Sequence, residues 1–240
     1  MEKSNKLLYF GLIIGLSVII SAGLVARTFL NVKNLDNVIT VSGSSKQKVT
    51  SDSARWTGNF SRTATKDTLK DTYIQMKSDE KIVSNFFVSQ GFAIGSFEIS
   101  PVFMNEVVKN EENAPKEYTL TQNIEIKSDD VNKMKELAKS SDQLASQGII
   151  FSANPVEYYY SKLPDLRVSL LPEAIKDAKK RAEVISNSSS NKIDSVKSVS
   201  MGVVQVMPVG SMDVDDYGSY DTSSIDKEVM ITIKAVFGLK

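Results

Sequence analysis

Apolar residues run without a charge from Leu7 to Ala26 (LLYFGLIIGLSVIISAGLVA), the longest such block in the chain. As a helix rising about 1.5 Å per residue, the block spans roughly 30 Å, the thickness of a bilayer's hydrocarbon core. Lys3 and Lys6 precede it, and Arg27 and Lys33 follow it. Basic residues are nearly balanced across the segment, and the N-terminal amine with the two lysines tips the orientation towards N-terminus inside. This gives residues 1–6 as a cytoplasmic N-terminus, 7–26 as a transmembrane anchor, 27–37 as a linker and 38–240 as an extracytoplasmic domain. A cleaved signal peptide is the alternative, with Ser21-Ala22-Gly23 as a small-x-small site. Its apolar region would be only about 7–15 residues, whereas here apolar residues continue through Leu24 and Val25. The length favours an anchor.

Beyond the linker the pattern changes to short alternating and helical segments. Val38 to Gly43 alternates and is β-branched, which predicts a strand, with Ala54 to Arg62 as its hairpin partner. A helix is expected from Asp67 to Gln90, where Leu69, Tyr73, Met76, Val83 and Phe87 keep three-to-four spacing with one gap at Glu80. Gln90-Gly91 closes it. Strands follow at 96–108 and 117–127, joined by the polar turn Lys109 to Pro115. A second helix is expected from Asp130 to Ser146, capped by Ser128-Asp129 and ended by Gln147-Gly148. A strand covers 155–161. A third helix starts between Asp165 and Leu171, with the stripe Leu171, Ala174, Ala178, Ala182 and Ile185. Pro172 marks a start or a kink there. Strands at 195–207 and 227–237 complete an order ββαββαβαββ. This is an α+β fold, with antiparallel sheets packed against about three helices after one N-terminal transmembrane helix. The two βαββ-like stretches suggest a duplicated unit, although no residue-level repeat supports it.

Composition narrows the chemistry. Lysine plus arginine equals aspartate plus glutamate at 29 each, so no net field favours nucleic acid. Cysteine and histidine are both absent. That excludes disulfides, thiolate nucleophiles, Ser-His-Asp triads and histidine-bound zinc. Acid–base work would fall to carboxylates, lysines or tyrosines.

Three stretches resemble the SIMPL domain family, bacterial envelope proteins of poorly defined activity. The first is Ile39-Thr40-Val41-Ser42-Gly43 followed by Asp52 and Ala54, with Ser51 where the family usually has proline. The second is the long helix closed by Gly91, then Ile99, Tyr118 and Gln122. The third is Ala174-x-x-Asp177-Ala178-x-x-Arg181-Ala182. A glycine expected soon after this helix is missing, and Lys192-Ile193-Asp194 takes the place. The C-terminal strand, Val229 to Phe237, also fits. The resemblance implies an α+β fold, an envelope location and self-association, and some relatives are linked to oxidative-stress defence. It implies no catalytic residues.

Other constellations have plain structural readings. Asp177 and Arg181, one helical turn apart, read as a surface ion pair. The loop from Val209 to Ser224 carries Asp213, Asp215, Asp216 and Asp221. Its Asp213-x-Asp215-Asp216-x-Gly218 lacks the calcium-loop spacing and the twelfth-position glutamate, so it reads as a mobile acidic loop. Trp56, Tyr158, Tyr159 and Tyr160 are core and cross-strand packing, because neighbouring strand residues face opposite sides. Asn59-x-Ser61 and Asn187-x-Ser189 match the glycosylation pattern, which recurs by chance. No phosphate-binding motif or Ser-Lys dyad stands out.

The sequence therefore predicts no catalytic, cofactor-binding or metal-binding residues. It predicts a non-enzymatic protein held in the membrane through Leu7 to Ala26, which self-assembles into homo-oligomers and is linked to stress defence. The alternative is a module binding a small molecule, peptide or glycan in a cleft between lobes, lined by the tyrosine strand. A carboxylate-based hydrolase is the remaining class.

Overall fold

The computed structural model describes residues 2–34, 37–108, 115–211 and 215–240. The expected turn at 109–115 falls almost wholly outside the described residues, as does Asp213. The chain is α+β, with a four-stranded and a six-stranded sheet among the described residues. Contacts divide it into two units: residues 1–45, 170–203 and 231–240 form the first, and residues 46–169 and 204–230 the second.

The first unit begins with α1 (Glu2–Asn34), an uninterrupted helix. Its stretch Phe10–Phe29 is long and apolar enough to cross a membrane, and none of that window is buried against the protein. The helix runs on through most of the expected linker, to Asn34. The other elements, each partly in this unit, are β1 (Val38–Thr50), α5 (Leu163–Ser188), β8 (Ile193–Pro208) and β10 (Asp226–Leu239). The strand order is β1-β10-β8-β9, with β9 (Ser219–Tyr220) in the second unit. Ile231, Ile233, Ala235 and Phe237 of β10 are buried, as are Ala174, Ala178 and Ala182 of α5. The expected stripe on α5 needs two corrections. Leu170 is buried in place of Leu171, and Ser186 in place of Ile185, which is 51% exposed, because the buried positions recur every fourth residue. The helix also starts earlier than expected, at Leu163, and Pro172 lies inside it.

The missing glycine after α5 has a structural answer. Ser190 takes φ +60°, the one non-glycine positive φ among the described residues. Its N–H donates to the Asn187 carbonyl, and the Asn191 N–H donates to the Ser186 carbonyl. These are the two bonds that usually set a left-handed glycine after a helix, here made by serine.

The second unit is built on the long antiparallel pair β2 (Ser53–Thr65) and β5 (Glu117–Ser128). β3 (Phe97–Ile99) and β4 (Phe103–Val107) both pair with β5. β6 (Phe151–Ala153) and β7 (Glu157–Tyr159) both pair with β2. The expected strand at 96–108 is therefore two strands, interrupted at Ser100-Pro101, where proline supplies no N–H to a ladder. On the inward face Trp56, Phe60, Leu120, Ile124 and Ile126 alternate with outward polar residues. α2 (Leu69–Ser89) covers this face, with Met76, Val83 and Phe87 fully buried. The Phe87 ring meets Trp56 edge-on at 6.2 Å. Gly91, at φ +83°, ends α2 as expected. The expected second helix is α3 (Val131–Ser140) followed by the short α4 (Gln143–Ser146). Its cap is Asp130, whose carboxylate accepts the Lys133 N–H at 2.9 Å.

β2 is not the hairpin partner of β1. The two strands lie in different sheets, because the connecting residues are committed elsewhere. The Ser51 N–H donates to the Ile225 carbonyl and the Asp52 N–H to the Tyr159 carbonyl. The Asp52 carboxylate also accepts the N–H and hydroxyl of Ser161. With their donors taken, these residues make a corner.

Candidate functional site

The stretches that carry the family resemblance turn out to build structure. In the first unit Gly43 of β1 faces the alanines of α5. A Cβ added at Gly43 would stand 2.3 Å from the Ala174 carbonyl oxygen and 2.5 Å from the Ala178 nitrogen. The next residue, Ser44, donates its N–H to Asp177 Oδ2 at 2.9 Å, and Arg181 reaches the same oxygen at 2.9 Å. Asp177 is thus a strand-to-helix tie as well as a helix-surface ion pair. The Ser44 N–H, and then Arg181, hold its carboxyl below the ordinary range. A folded-state pKa below the unfolded one stabilises the fold above roughly pH 4, and the gain is lost as pH falls through the folded value. Asp177→Asn is expected to cost about 1.5 kcal/mol at neutral pH, the lower end for a hydrogen bond to a charged group. It should also flatten the acid limb of a stability–pH curve measured by urea denaturation. An unchanged acid limb would rule out this tie.

The other motif residues behave similarly. Gln122, 1% exposed, donates to Glu80 Oε2 and to the Ser100 carbonyl, each at 2.9 Å. That donation, with a smaller contribution from Lys77, lowers the Glu80 carboxyl. Arg62 forms a two-pronged pair with the buried Asp79 of α2, which clamps the helix to β2.

Part of the acidic loop is tightly organised. Lys227 has a fully buried side chain. Its ammonium donates to the Asp221 and Ser224 carbonyls at 2.6 Å each and approaches Asp221 Oδ2 at 3.4 Å. Burial pushes this ammonium below its ordinary pKa, against the pull of Asp221. Burial alone would raise the Asp221 carboxyl. The hydroxyl and N–H of Ser223, with Ser224 and Lys227, outweigh it and hold the group far below the carboxylate range. A lysine ammonium therefore sits among oxygens of the kind that would hold a metal. No group of three acidic side chains suited to a metal occurs among the described residues.

Trp56 is a core residue, and its indole N–H donates to the Asn154 carbonyl at 2.9 Å. Tyr158 is buried, while Tyr159 stacks obliquely on Tyr220 at 5.9 Å and donates to Glu157 at 2.8 Å. The tyrosines line no common surface.

Two other surfaces stand out in their place. The first is the outward face of the six-stranded sheet, which carries a groove of about 760 Å³. β2 and β5 form its floor. The break at Ser100-Pro101 walls one side and Asn154, between β6 and β7, the other. Register sets Asn59 opposite Asn123 and Glu98 opposite Glu125. Arg55 at 2.8 Å and Lys127 at 2.6 Å neutralise Glu125, and they lower its carboxyl, Lys127 first. The side chains of Asn59, Asn123 and Glu98 have no hydrogen-bond partner among the described residues. Sequence reading missed this set because the residues are far apart in the chain and only strand register assembles them.

The second surface is the β8 edge in the first unit. Residues 195–203 are exposed at every position, with Val196, Val199, Met201 and Val203 each 40–46% exposed. β9 pairs with β8 only at Gln205 and Val206. Among the described residues the other edge of 195–203 is therefore open.

No curated protein matches the chain. The family model SIMPL, described as a protein of unknown function (DUF541), matches residues 39–237. That span includes Gly43, Asp177 and Arg181, whose packing and bonds explain the first and third resembling stretches, and the chain belongs to the SIMPL family.

Proposed function

We propose that this protein is a non-enzymatic scaffold of the bacterial envelope. α1 anchors it in the membrane, and the SIMPL domain lies on the extracytoplasmic side and assembles with further copies of itself. The observation that carries this reading is the open edge of β8. Isolated proteins protect exposed strand edges with charges, prolines or bulges. Residues 195–203 (SVKSVSMGV) hold a single charge, Lys197, and no proline. Two such edges, paired antiparallel about Val199, set Lys197 of one copy against Met201 of the other and bring no like charges together. The absence of histidine and cysteine supports a role without catalysis. Stress defence is the process we assign to the assembly, and loss of the protein should then sensitise cells to oxidants.

The chain has no cysteine, so one introduced thiol reports on one contact. In proteoliposomes, the full-length Val199→Cys variant is expected to form a disulfide-linked dimer under mild oxidation. Lys176→Cys, on an exposed part of α5, is expected to stay monomeric. Equal cross-linking at both positions, or none at Val199→Cys, would overturn the proposal.

A further inference from the structure

We propose that the groove on the outward face of the six-stranded sheet is a binding site for a neutral, hydroxyl-rich ligand, a short glycan segment. Its volume, about 760 Å³, lies within the roughly 300–1,000 Å³ usual for small-ligand sites. The proposal rests on this groove alone and not on self-assembly through β8.

The polar groups in the groove fall into two sets. One set is already engaged: the two terminal nitrogens of Arg55 hold Glu157 and Glu125, its buried Nε being left without a partner among the described residues, Lys127 holds Glu125, and Asn154 donates to the Thr57 hydroxyl at 2.9 Å. This set fixes the shape of the site and leaves little net charge to recruit an ion. The other set is unspent. The amides of Asn59 and Asn123 stand side by side across β2 and β5, and the Glu98 carboxylate lies on the adjoining strand β3. A primary amide donates and accepts at once, as does each hydroxyl of a sugar, so a pair of amides can engage neighbouring hydroxyls in both directions. The Glu98 carboxylate adds an acceptor for a further hydroxyl. Pro101, on the wall, offers a small apolar patch for the C–H face of a ring. A phosphorylated or strongly anionic ligand is disfavoured, because Glu98 has no neutralising partner and Arg55 is already engaged.

The test uses the full-length protein in lipid nanodiscs, since sugar-based detergents would compete. Chitotriose and maltotriose are titrated by calorimetry against the wild type and the Asn59→Ala/Asn123→Ala double variant. Both positions face outward, so the variant should keep its melting temperature. The expected result is saturable binding of at least one sugar with a dissociation constant of about 1 mM or tighter, weakened at least about tenfold in the variant. No saturation by either sugar, or equal binding by the variant, overturns the proposal. Saturable binding of an extended peptide in place of both sugars overturns it as well. None of these results depends on whether Val199→Cys cross-links.

Discussion

Replacing Lys227 with alanine is expected to destabilise the folded protein by about 3–5 kcal/mol, the range for breaking a buried ion pair by removing one partner. The ammonium is wholly buried, and its three acceptors lie within one short turn. Without it, the carbonyls of Asp221 and Ser224 lose their donor, and the Asp221 carboxylate loses the charge that faces it. The hydroxyl and N–H of Ser223 remain to that carboxylate, so the loss stays within this range. Lys227→Met keeps most of the volume and should lose less, and the difference between the two variants isolates the cavity. Urea denaturation of the full-length protein measures both. A loss below about 1 kcal/mol for alanine would mean that the turn finds other donors.

The second large effect is expected at Gly43. A side chain there meets the backbone of Ala174 and Ala178 at 2.3 and 2.5 Å. No rotamer change relieves a clash with backbone, so α5 must move off β1 and the Ser44–Asp177 bond stretches with it. Gly43→Val is expected to cost about 3 kcal/mol or more, at or beyond the upper end for overpacking. Gly202→Ala is the control, because its Cβ would lie 3.1 Å from the Thr232 carbonyl and small shifts can absorb it. Similar thermal midpoints for the two variants would contradict the close approach of strand and helix.

The parts of the fold legible from sequence were those set by local periodicity. Met76, Val83 and Phe87, seven and four residues apart and so on one helical face, located α2, and the spacing of Ala174, Ala178 and Ala182 located the buried face of α5. Gly91 marked the end of α2 because few other residues adopt φ +83° readily. Features decided by distant partners were not legible. The corner at Ser51-Asp52 depends on Ile225, Tyr159 and Ser161, which local pattern does not show, so by sequence β1 and β2 read as a hairpin. Ile185 reads as a stripe residue because it is apolar and three places after Ala182, whereas the four-residue step of the buried face falls on Ser186. Lys227 gave no sign of its burial, since lysines alternating with apolar residues usually point to solvent. The groove is the extreme case. Asn59, Glu98 and Asn123 sit on three strands and match no spacing motif, so only the register of β2, β3 and β5 makes them neighbours.

The unbroken length of α1 bears on how weak contacts are read. At about 1.5 Å per residue its 33 residues extend roughly 50 Å, some 20 Å more than a hydrocarbon core needs. Copies anchored through Phe10–Phe29 would share one plane. Encounters would then be counted per area of membrane and not per volume of solution. Tethering of this kind raises effective concentration without any new contact. An edge-to-edge pairing too feeble to survive dilution can be the prevailing state on a crowded lipid surface, so under the proposed assembly the density of protein in the bilayer would set how many β8 edges are paired.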